Sequence, residues 1–398
     1  MSITEHDVQK KALIVGAGVA GLSAAWWLKK IGWHPVLIER APDLRSAGHM
    51  LGLSGPGFEI AQRMGIGPQL DAAACTVNEN IYRDRKGREL LRLRYREVLK
   101  DLSYVALRRT DLVQALRDAL PADLDIRFGA VVESIDDGGE EIALRLADGT
   151  EMAGDLVIGA DGLRSWMRRT CFGPDEAFFK ELGYRFATYD LEDVIGLGSD
   201  FLSYTEPGHV AEYYTLHDGR LAALHVWRTE ETGLVPPEAR WEMLHHVSRN
   251  THPSARRILE VAERGPVPLI DNLTMVDMPS WSKGRVVLLG DAAHCLTLIS
   301  GQGAGMSIAS ASILAQELAE RPLADALARH DQRLRPSILK LQERSRKMGS
   351  LFIPATPLSF HVRNFILRHM PRDWLSRYFL NAVQSEILVS QDIVQSKI

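Results

Sequence analysis

The run Ala12-Leu-Ile-Val-Gly-Ala-Gly-Val-Ala-Gly-Leu-Ser23 constrains the fold more than any other stretch of the chain. Apolar residues lead into Gly16, Gly18 and Gly21, and a second apolar run, Pro35-Val-Leu-Ile38, ends on Glu39. The order is strand, glycine turn, helix, strand and acid, the βαβ unit that holds a dinucleotide. Gly16 permits the tight turn, Gly18 lets the backbone approach a pyrophosphate, and Gly21 allows the helix to pack closely. The helix start contributes free N–H donors and the positive end of its dipole. Glu39 is placed to accept from ribose hydroxyls. A carboxylate there disfavours a 2′-phosphate, so the unit suits FAD or NAD rather than NADP. The turn by itself decides neither which of those two is bound nor the reaction.

The chain has 398 residues, 45% of them hydrophobic and 25% charged, with a formal net charge of −4. At roughly 150 residues per domain this predicts two or three domains, with a core large enough to need no staples. No long run of one sign supplies the basic face that a nucleic-acid partner requires. Cys75, Cys171 and Cys295 are scattered and odd in number. They form neither a disulfide framework nor a metal pair, and point to a reducing compartment. No apolar stretch approaches the length of a membrane span. The start, Met1-Ser-Ile-Thr-Glu-His-Asp-Val, lacks the basic opening of a signal peptide. The expectation is a soluble cytoplasmic monomer or homodimer without stable membrane association.

Along the chain, the first helix is expected from about Gly18 to Ile31, with Gly32 as its C-cap. Residues 41 to 65 read as a loop, holding Arg45 and Gly48, and then a helix. Alternation around Tyr82 to Tyr95, broken at Lys86-Gly87, predicts short antiparallel strands. A helix over Arg109 to Leu120 follows, then strands at Ile126–Ile135, Ile142–Leu146 and Asp155–Asp161. From 181 to 235 the tyrosines cluster, and Asp218-Gly219 joins two alternating runs, a hairpin signal. Residues 237 to 262 read as helical. The strand Arg285–Leu289 runs into Gly290-Asp291 and a second glycine-rich turn, Gly301-Gln-Gly-Ala-Gly305, which opens a long helical segment to about Met348. Helices separated by Pro354, Pro357 and Pro371 are expected in the tail.

Two further motifs accompany the glycine turn: Gly159-Ala-Asp-Gly-Leu-Arg-Ser165 with Arg168 beyond it, and Gly290-Asp-Ala-Ala-His294 leading to Gly301-Gln-Gly303. Three motifs in this order resemble the single-component (group A) FAD-dependent aromatic monooxygenases, the p-hydroxybenzoate hydroxylase-like family. The resemblance covers roughly residues 10 to 345. The layout is also similar to the tetracycline-inactivating flavin monooxygenases and quinolone hydroxylases. It implies an α/β (α+β) fold: a discontinuous Rossmann-like FAD-binding domain, an inserted antiparallel-sheet substrate domain and a helical C-terminal tail. The boundaries expected are 1–75, 105–180 and 270–345 for the FAD-binding domain, 76–104 and 181–269 for the substrate domain, and 346–398 for the tail.

The resemblance also implies roles. Gly16, Gly18 and Gly21 hold the FAD pyrophosphate and Glu39 the adenosine ribose, with Arg40 beside it. Arg45 falls in the basic loop near the pyrophosphate. Arg109 opens the Arg-Thr-Asp-Leu helix that reaches the flavin side, and Val132 meets the adenine. Asp161 serves FAD and the nicotinamide, and Asp291 binds the ribityl chain. The turn of Gly301, Gln302, Gly303, Ala304 and Gly305 opens a helix whose N–H groups face the flavin pyrimidine, where a dipole stabilises the reduced ring. With a single dinucleotide fingerprint, NADH or NADPH is a transient visitor. It reduces the flavin, O₂ then forms a C4a-hydroperoxide, and one oxygen passes to an aromatic or polyketide-like small molecule. Two departures from the family sit near the flavin: Leu298 replaces a proline and Gly305 an asparagine.

Other readings are weaker. A flavoprotein of the same fold that inserts no oxygen, a reductase or halogenase, is the main alternative. The Trp-x-Trp-x-Ile-Pro signature of flavin halogenases is absent. A plain NAD-dependent dehydrogenase leaves the Asp161 and Asp291 motifs without a role. There is no Gly-x-Ser-x-Gly elbow and no metal-binding histidine spacing. His245, His246 and His252 read as solvated side chains, Cys295 as a small buried hydrophobe, and His294 as structural with acid–base work left open. Tyr213, Thr215, His225 and Trp227 alternate on their strands, so some should face one substrate cavity, or else they are ordinary packing. Tyr213, His225 and His294 are thus the candidates for a catalytic side chain, beside a flavin that carries the chemistry. In the tail, Val362, Phe365, Ile366 and Met370 form a stripe flanked by Arg363, Arg368 and Arg372, read as a helix packed on its own domain.

Overall fold

The structure, a computed structural model, describes residues 9–44, 50–94, 103–198 and 200–369. Arg45 and Gly48 of the basic loop, and Met370 and Arg372 of the tail stripe, lie outside the described residues.

The opening motif folds as read. Strand Lys11–Val15 enters the glycine turn, helix Val19–Lys30 follows, and strand His34–Glu39 returns parallel to the first. Six strands share this sheet, in the order Ser282–Lys283, Val286–Leu288, Leu156–Gly159, Lys11–Val15, His34–Glu39 and Asp125–Phe128. All neighbours run parallel except the edge pair Ser282–Lys283 with Val286–Leu288. Ile158 stands between Ile14 and Val287, so the first, second and third motifs leave the ends of adjacent strands. Their continuous apolar runs reflect burial on both faces, as parallel sheets require. Helix Val19–Lys30 packs on this sheet and against helices Arg109–Asp118 and Gly303–Glu320. A three-stranded antiparallel sheet, Val132–Asp137, Ile142–Leu146 and Glu151–Gly154, contributes Val132, Ile142, Leu144, Leu146 and Met152 to the same core.

A second sheet of seven strands lies between these pieces in sequence. Its order is Leu269–Val276, Phe179–Leu191, Leu221–Arg228, His209–Thr215, Phe201–Glu206, Glu79–Arg83 and Glu89–Arg94. The expected hairpin across Asp218-Gly219 pairs His209–Thr215 with Leu221–Arg228. The sheet is antiparallel except where the strand from the earlier segment, Glu79–Arg83, joins Phe201–Glu206 in parallel. Helices Arg240–Ser248 and Pro253–Ala262 cover one face through Leu244, Ala255, Ile258 and Leu259.

Several boundaries differ from those read in the sequence. The expected loop before Gly55 ends in a strand, Met50–Ser54, paired antiparallel with Tyr104–Arg108. The run 126–135 is two strands in different sheets, divided at Gly129, whose φ of 69° turns the chain. The long helical segment is two helices, Gly303–Glu320 and Leu323–Phe352, divided near Pro322. Helix Pro357–His369 follows, and among its exposed residues are Leu358, Val362, Phe365 and Ile366. No helix among the described residues is long and apolar enough to cross a membrane.

Candidate functional site

The three glycines of the turn have different reasons to be glycine. A Cβ on Gly16 (φ 108°) would lie 2.4 Å from the Ala160 carbonyl oxygen, and one on Gly21 would lie 1.9 Å from that of Gly16. Both are therefore demanded by the protein's own packing. Gly18 is not: its Cβ would meet nothing nearer than Arg109 Nη2, at 3.8 Å. It stands at the N-cap of Val19–Lys30 and leaves those helical amides bare. A bare helix start is where a pyrophosphate docks. The protein alone gives no reason for that glycine, and a dinucleotide does.

Around this turn an open cavity gathers most of the sequence candidates. Gly16, Gly18, Glu39, Arg40, Arg109, Val132 and Asp161 all line it. Gly21 is absent from the lining because it faces the strand. Glu39 is fixed by its own neighbours: Oε2 accepts from Ala17 N and Oε1 from Ala41 N, both at 2.8 Å. Asp161 is likewise engaged. Ser165 Oγ donates to Oδ1 at 2.5 Å and Met167 N to Oδ2 at 3.0 Å, which caps the short helix Trp166–Cys171. The Asp-Gly motif thus builds the wall of the cavity as well as facing it.

The third motif lies beyond Arg109. Burial raises the Asp291 carboxyl, and the Arg109 guanidinium opposes that rise, so Arg109 lies near both the Gly18 turn and Asp291. Fully buried Arg168 locks the second and third motifs together. It donates to the Leu163 carbonyl at 2.6 Å, to the Ala292 carbonyl at 2.9 Å and to Asp175. The motif arginine beside Ser165 does the same for the second sheet: Arg164 grips both oxygens of Asp271, at 2.6 and 2.5 Å. Gly301 takes φ 65°, and Gln302 caps the helix Gly303–Glu320. A Cβ on Gly303 would find only Asp291 Oδ1, at 3.9 Å, so this second helix start is bare for the same reason as the first.

The two departures from the family both lie at contacts between elements. Gly305 is where two helices cross. A Cβ on Gly57 would fall 2.3 Å from Gly305 Cα, and one on Gly305 would already touch Gly57 and Leu53 at 3.6 Å. The crossing therefore demands glycine at 57, whereas a Cβ at 305 would make ordinary contacts. Leu298 packs with Phe186, Val210, Leu224 and Val226 of the seven-stranded sheet. Thr297 before it has φ 70° and ψ 162°, the one non-glycine residue with positive φ among the described residues.

The catalytic candidates are placed elsewhere. Tyr213, His225 and Trp227 do share a face, but it is the one beneath helices Arg240–Ser248 and Pro253–Ala262. Thr215 follows the same parity. There His225 Nε2 lies 2.9 Å from Tyr189 Oη, and its Nδ1 lies 3.2 Å from His209 Nε2. Burial and neighbouring His209 hold His225 far below the ordinary histidine value. His294 is buried against Trp281, and burial lowers it to about 3, so it stays neutral. Burial among its neighbours drives the Cys295 thiol far up, leaving it an inert hydrophobe. His245 meets Glu263, His246 meets Arg249, and His252 caps its helix and stacks on Tyr204 at 4.8 Å.

The opposite face looks toward the cofactor motifs, and no single sequence pattern announced it. Tyr214 Oη accepts from Met50 N at 2.9 Å, and Ser54 Oγ, at the end of that strand, accepts from Gln302 Nε2 at 3.1 Å. Strand Met50–Ser54 therefore connects this face to the Gly303 helix start. Phe201, Tyr214, Leu224, Val226 and Phe186 make it apolar, with Ser203 and Glu212 set among them.

Comparison with known proteins agrees with this geometry. The FAD binding domain family matches residues 9–326. A flavin-dependent monooxygenase from an unknown prokaryotic organism is 30% identical over 338 residues, covering 82% of this chain and 86% of the relative. The crystal structure of tetracycline destructase Tet(51) superposes with a TM-score of 0.82 at 26% identity, covering 98% of this chain and all of that one. Klebsiella pneumoniae HpxO, solved with FAD and uric acid, superposes with a TM-score of 0.82 at 20% identity over 96% of this chain and 97% of that one. The chain belongs to the FAD binding domain family and is an FAD-dependent monooxygenase.

Proposed function

We propose that this enzyme takes electrons from NADH or NADPH and places one oxygen atom of O₂ on an aromatic or polyketide-like small molecule. One observation carries the reading. Two glycines that the protein's packing does not require, Gly18 and Gly303, bare two helix starts at opposite ends of a path through Arg109 and Asp291. An extended cofactor with a pyrophosphate at one end and an electron-rich ring at the other fits that path. In this reading Gly16, Ala17 and Gly18 hold the pyrophosphate, Glu39 and Arg40 the adenosine ribose, Val132 the adenine and Asp291 the ribityl chain. The amides from Gly301 to Ala304 would face the pyrimidine edge of a bound flavin, where a helix start stabilises negative charge. Segments 1–75, 105–180 and 270–345 supply these groups, and 76–104 and 181–269 supply the substrate wall.

Bound FAD supplies the electron transfer and the activation of oxygen. The chain supplies everything else. The close approach of Gly16 to Ala160 and the Arg168 bonds fix the three motifs against one another, Arg164 ties them to the second sheet, and the Gly57–Gly305 crossing sets the second helix start. The apolar sheet face keeps water from the reacting edge, which protects a reactive oxygen donor from wasteful breakdown. Three unpaired cysteines among the described residues suit a reducing cytoplasm.

The test is a screen of phenols, quinolones and polyketides for stimulated NAD(P)H oxidation by the FAD-loaded enzyme, run under ¹⁸O₂. Product heavier by one labelled oxygen is the expected result. NAD(P)H oxidation that yields unlabelled product richer by two hydrogens would overturn oxygen insertion in favour of a reductase.

A further inference from the structure

We propose that Glu212 reads the polar edge of the substrate: it receives an O–H or N–H donor from an uncharged aromatic and, through its own charge, turns away aromatics that carry a carboxylate. This rests on the reading above that the substrate is an aromatic small molecule.

Glu212 sits in the middle of strand His209–Thr215, directly across from Ser203 on one neighbour and Leu224 on the other. Its strand neighbours Ala211 and Tyr213 point into the opposite, fully closed core. Glu212 shares its own face with Val210 and Tyr214, and Phe201 stacks on Tyr214 at 5.1 Å. A carboxyl in such a wall has lost much of its water and is ordinarily given a cation in return. Among the described residues none pairs with it. Its one polar contact is Ser203 Oγ, at 3.2 Å. That hydroxyl has a single hydrogen, and Asn80 Oδ1 competes for it at 3.0 Å. At least one carboxylate oxygen is therefore left without a donor from the protein.

The carboxyl is deep, and burial pushes it up to about 7. Yet Glu212 is only half-buried by accessible surface, as are Leu224, Phe186, Tyr104, Met50 and Leu298 around the same face. Partly accessible side chains on an inward-facing wall leave a space in front of them. This space is walled by the sheet on one side and by the strand and loop that lead to the Gly303 helix start on the other. A buried polar group that its own protein leaves short of donors is completed by what enters the cavity. A donor completes it, whereas a second carboxylate meets like charge in a poorly solvated space.

The experiment titrates the FAD-loaded natural enzyme at pH 8 with 2-naphthol and 2-naphthoate, one ring skeleton carrying either a donor or an anion. Binding is read from the change in flavin absorbance. The natural enzyme should bind 2-naphthol about tenfold more tightly or better, the size expected of a hydrogen bond to a charged group. In Glu212→Gln, which keeps shape and volume, the preference should shrink to about threefold or less, with retained yellow FAD showing an intact fold. Equal or tighter binding of 2-naphthoate by the natural enzyme overturns the proposal without any variant. So does a preference that survives Glu212→Gln. Absence of any flavin response to both compounds overturns the aromatic-substrate reading and this inference with it, whereas binding that ignores residue 212 overturns this inference alone.

Discussion

The seven-stranded sheet has two faces made of similar residues and put to opposite uses. Beneath the helices, Tyr189, His225, His209 and Glu206 form a closed chain of contacts at 2.9, 3.2 and 2.9 Å. Each polar group there has its partner inside the protein, which is how a buried network stabilises a fold. On the other face Glu212 has half of one serine hydrogen. The difference teaches where to look for function: an aromatic or a histidine in a satisfied network marks architecture, and a polar group left unfinished in an apolar wall marks a ligand.

The comparison requires that the cofactor side be fixed independently of the helix-covered side. Gly57→Ala attacks it most severely. Its Cβ meets backbone, which cannot swing aside, so helix Gly303–Glu320 must shift at its start. The expected outcome is a loss of about 1–3 kcal/mol of stability in unfolding titrations, with most bound FAD lost on gel filtration. Full FAD retention would show that the two helix starts are not set by this crossing. On the other face, His225→Phe removes hydrogen bonds while filling the space. We expect about 1–3 kcal/mol lost in urea unfolding, with turnover per bound flavin unchanged. A collapse of turnover in yellow, folded protein would move the chemistry to the face assigned here to packing.

That assignment marks the limit of what was legible in the sequence. The glycine turn, the Asp161 and Asp291 motifs and the hairpin at Asp218-Gly219 are local signals, and each stands where it was read. Alternation correctly grouped Tyr213, His225 and Trp227 on one face, but alternation has no sign. Which face receives helices depends on the distant segment 240–262. Strand Met50–Ser54 escaped for a related reason: its partner, Tyr104–Arg108, is some fifty residues away, and Gly52 reads as a breaker. In the fold that glycine is a necessity, since a Cβ there would lie 2.7 Å from the Tyr104 ring. Glu212 was hidden because its neighbours in the cavity come from four separate segments.

Glu212 and the buried histidines should also respond to acid in opposite directions. His225 is held well below the usual histidine value by burial and His209; His294 of the third motif and His330, which meets Ser310 from helix Leu323–Phe352, are lowered by burial to about 3 and 4. Their neutral forms are favoured in the fold. That stability is complete above the unfolded value near 6.5 and is lost as pH falls toward their folded values. Each costs up to about 1.4 kcal/mol per pH unit across that window. Glu212 runs the other way. Its raised value favours the protonated form, so its contribution is full below pH 4.5 and is lost as pH rises through about 7. Glu212→Gln should therefore stabilise the enzyme by about 1 kcal/mol at pH 8, a gain that fades toward pH 5. Unfolding curves at the two pH values check both signs. A variant less stable than the natural enzyme at pH 8 would mean that the carboxylate has a partner in the protein.

The smallest effect is expected at Thr297, where the cofactor side stores strain that the helix-covered face does not. A φ of 70° with ψ of 162° is a conformation that glycine adopts freely and a β-branched residue does not. The residue stands between the Asp291 motif and Leu298, so its backbone aims Leu298 at the apolar wall around Leu224 and Phe186. Its hydroxyl is buried without a partner, so the side chain gives back nothing for the strained backbone. Thr297→Gly relieves the strain and gains unfolded-chain entropy that opposes the relief, leaving a net stabilisation of about 1 kcal/mol. The same change loosens the backbone that leads into Leu298. Tighter folding should therefore come with weaker coupling, read as more NAD(P)H consumed per molecule of product. A variant that is more stable and equally well coupled would show that Leu298 is held by the apolar wall itself, and that the strained backbone is incidental to the site.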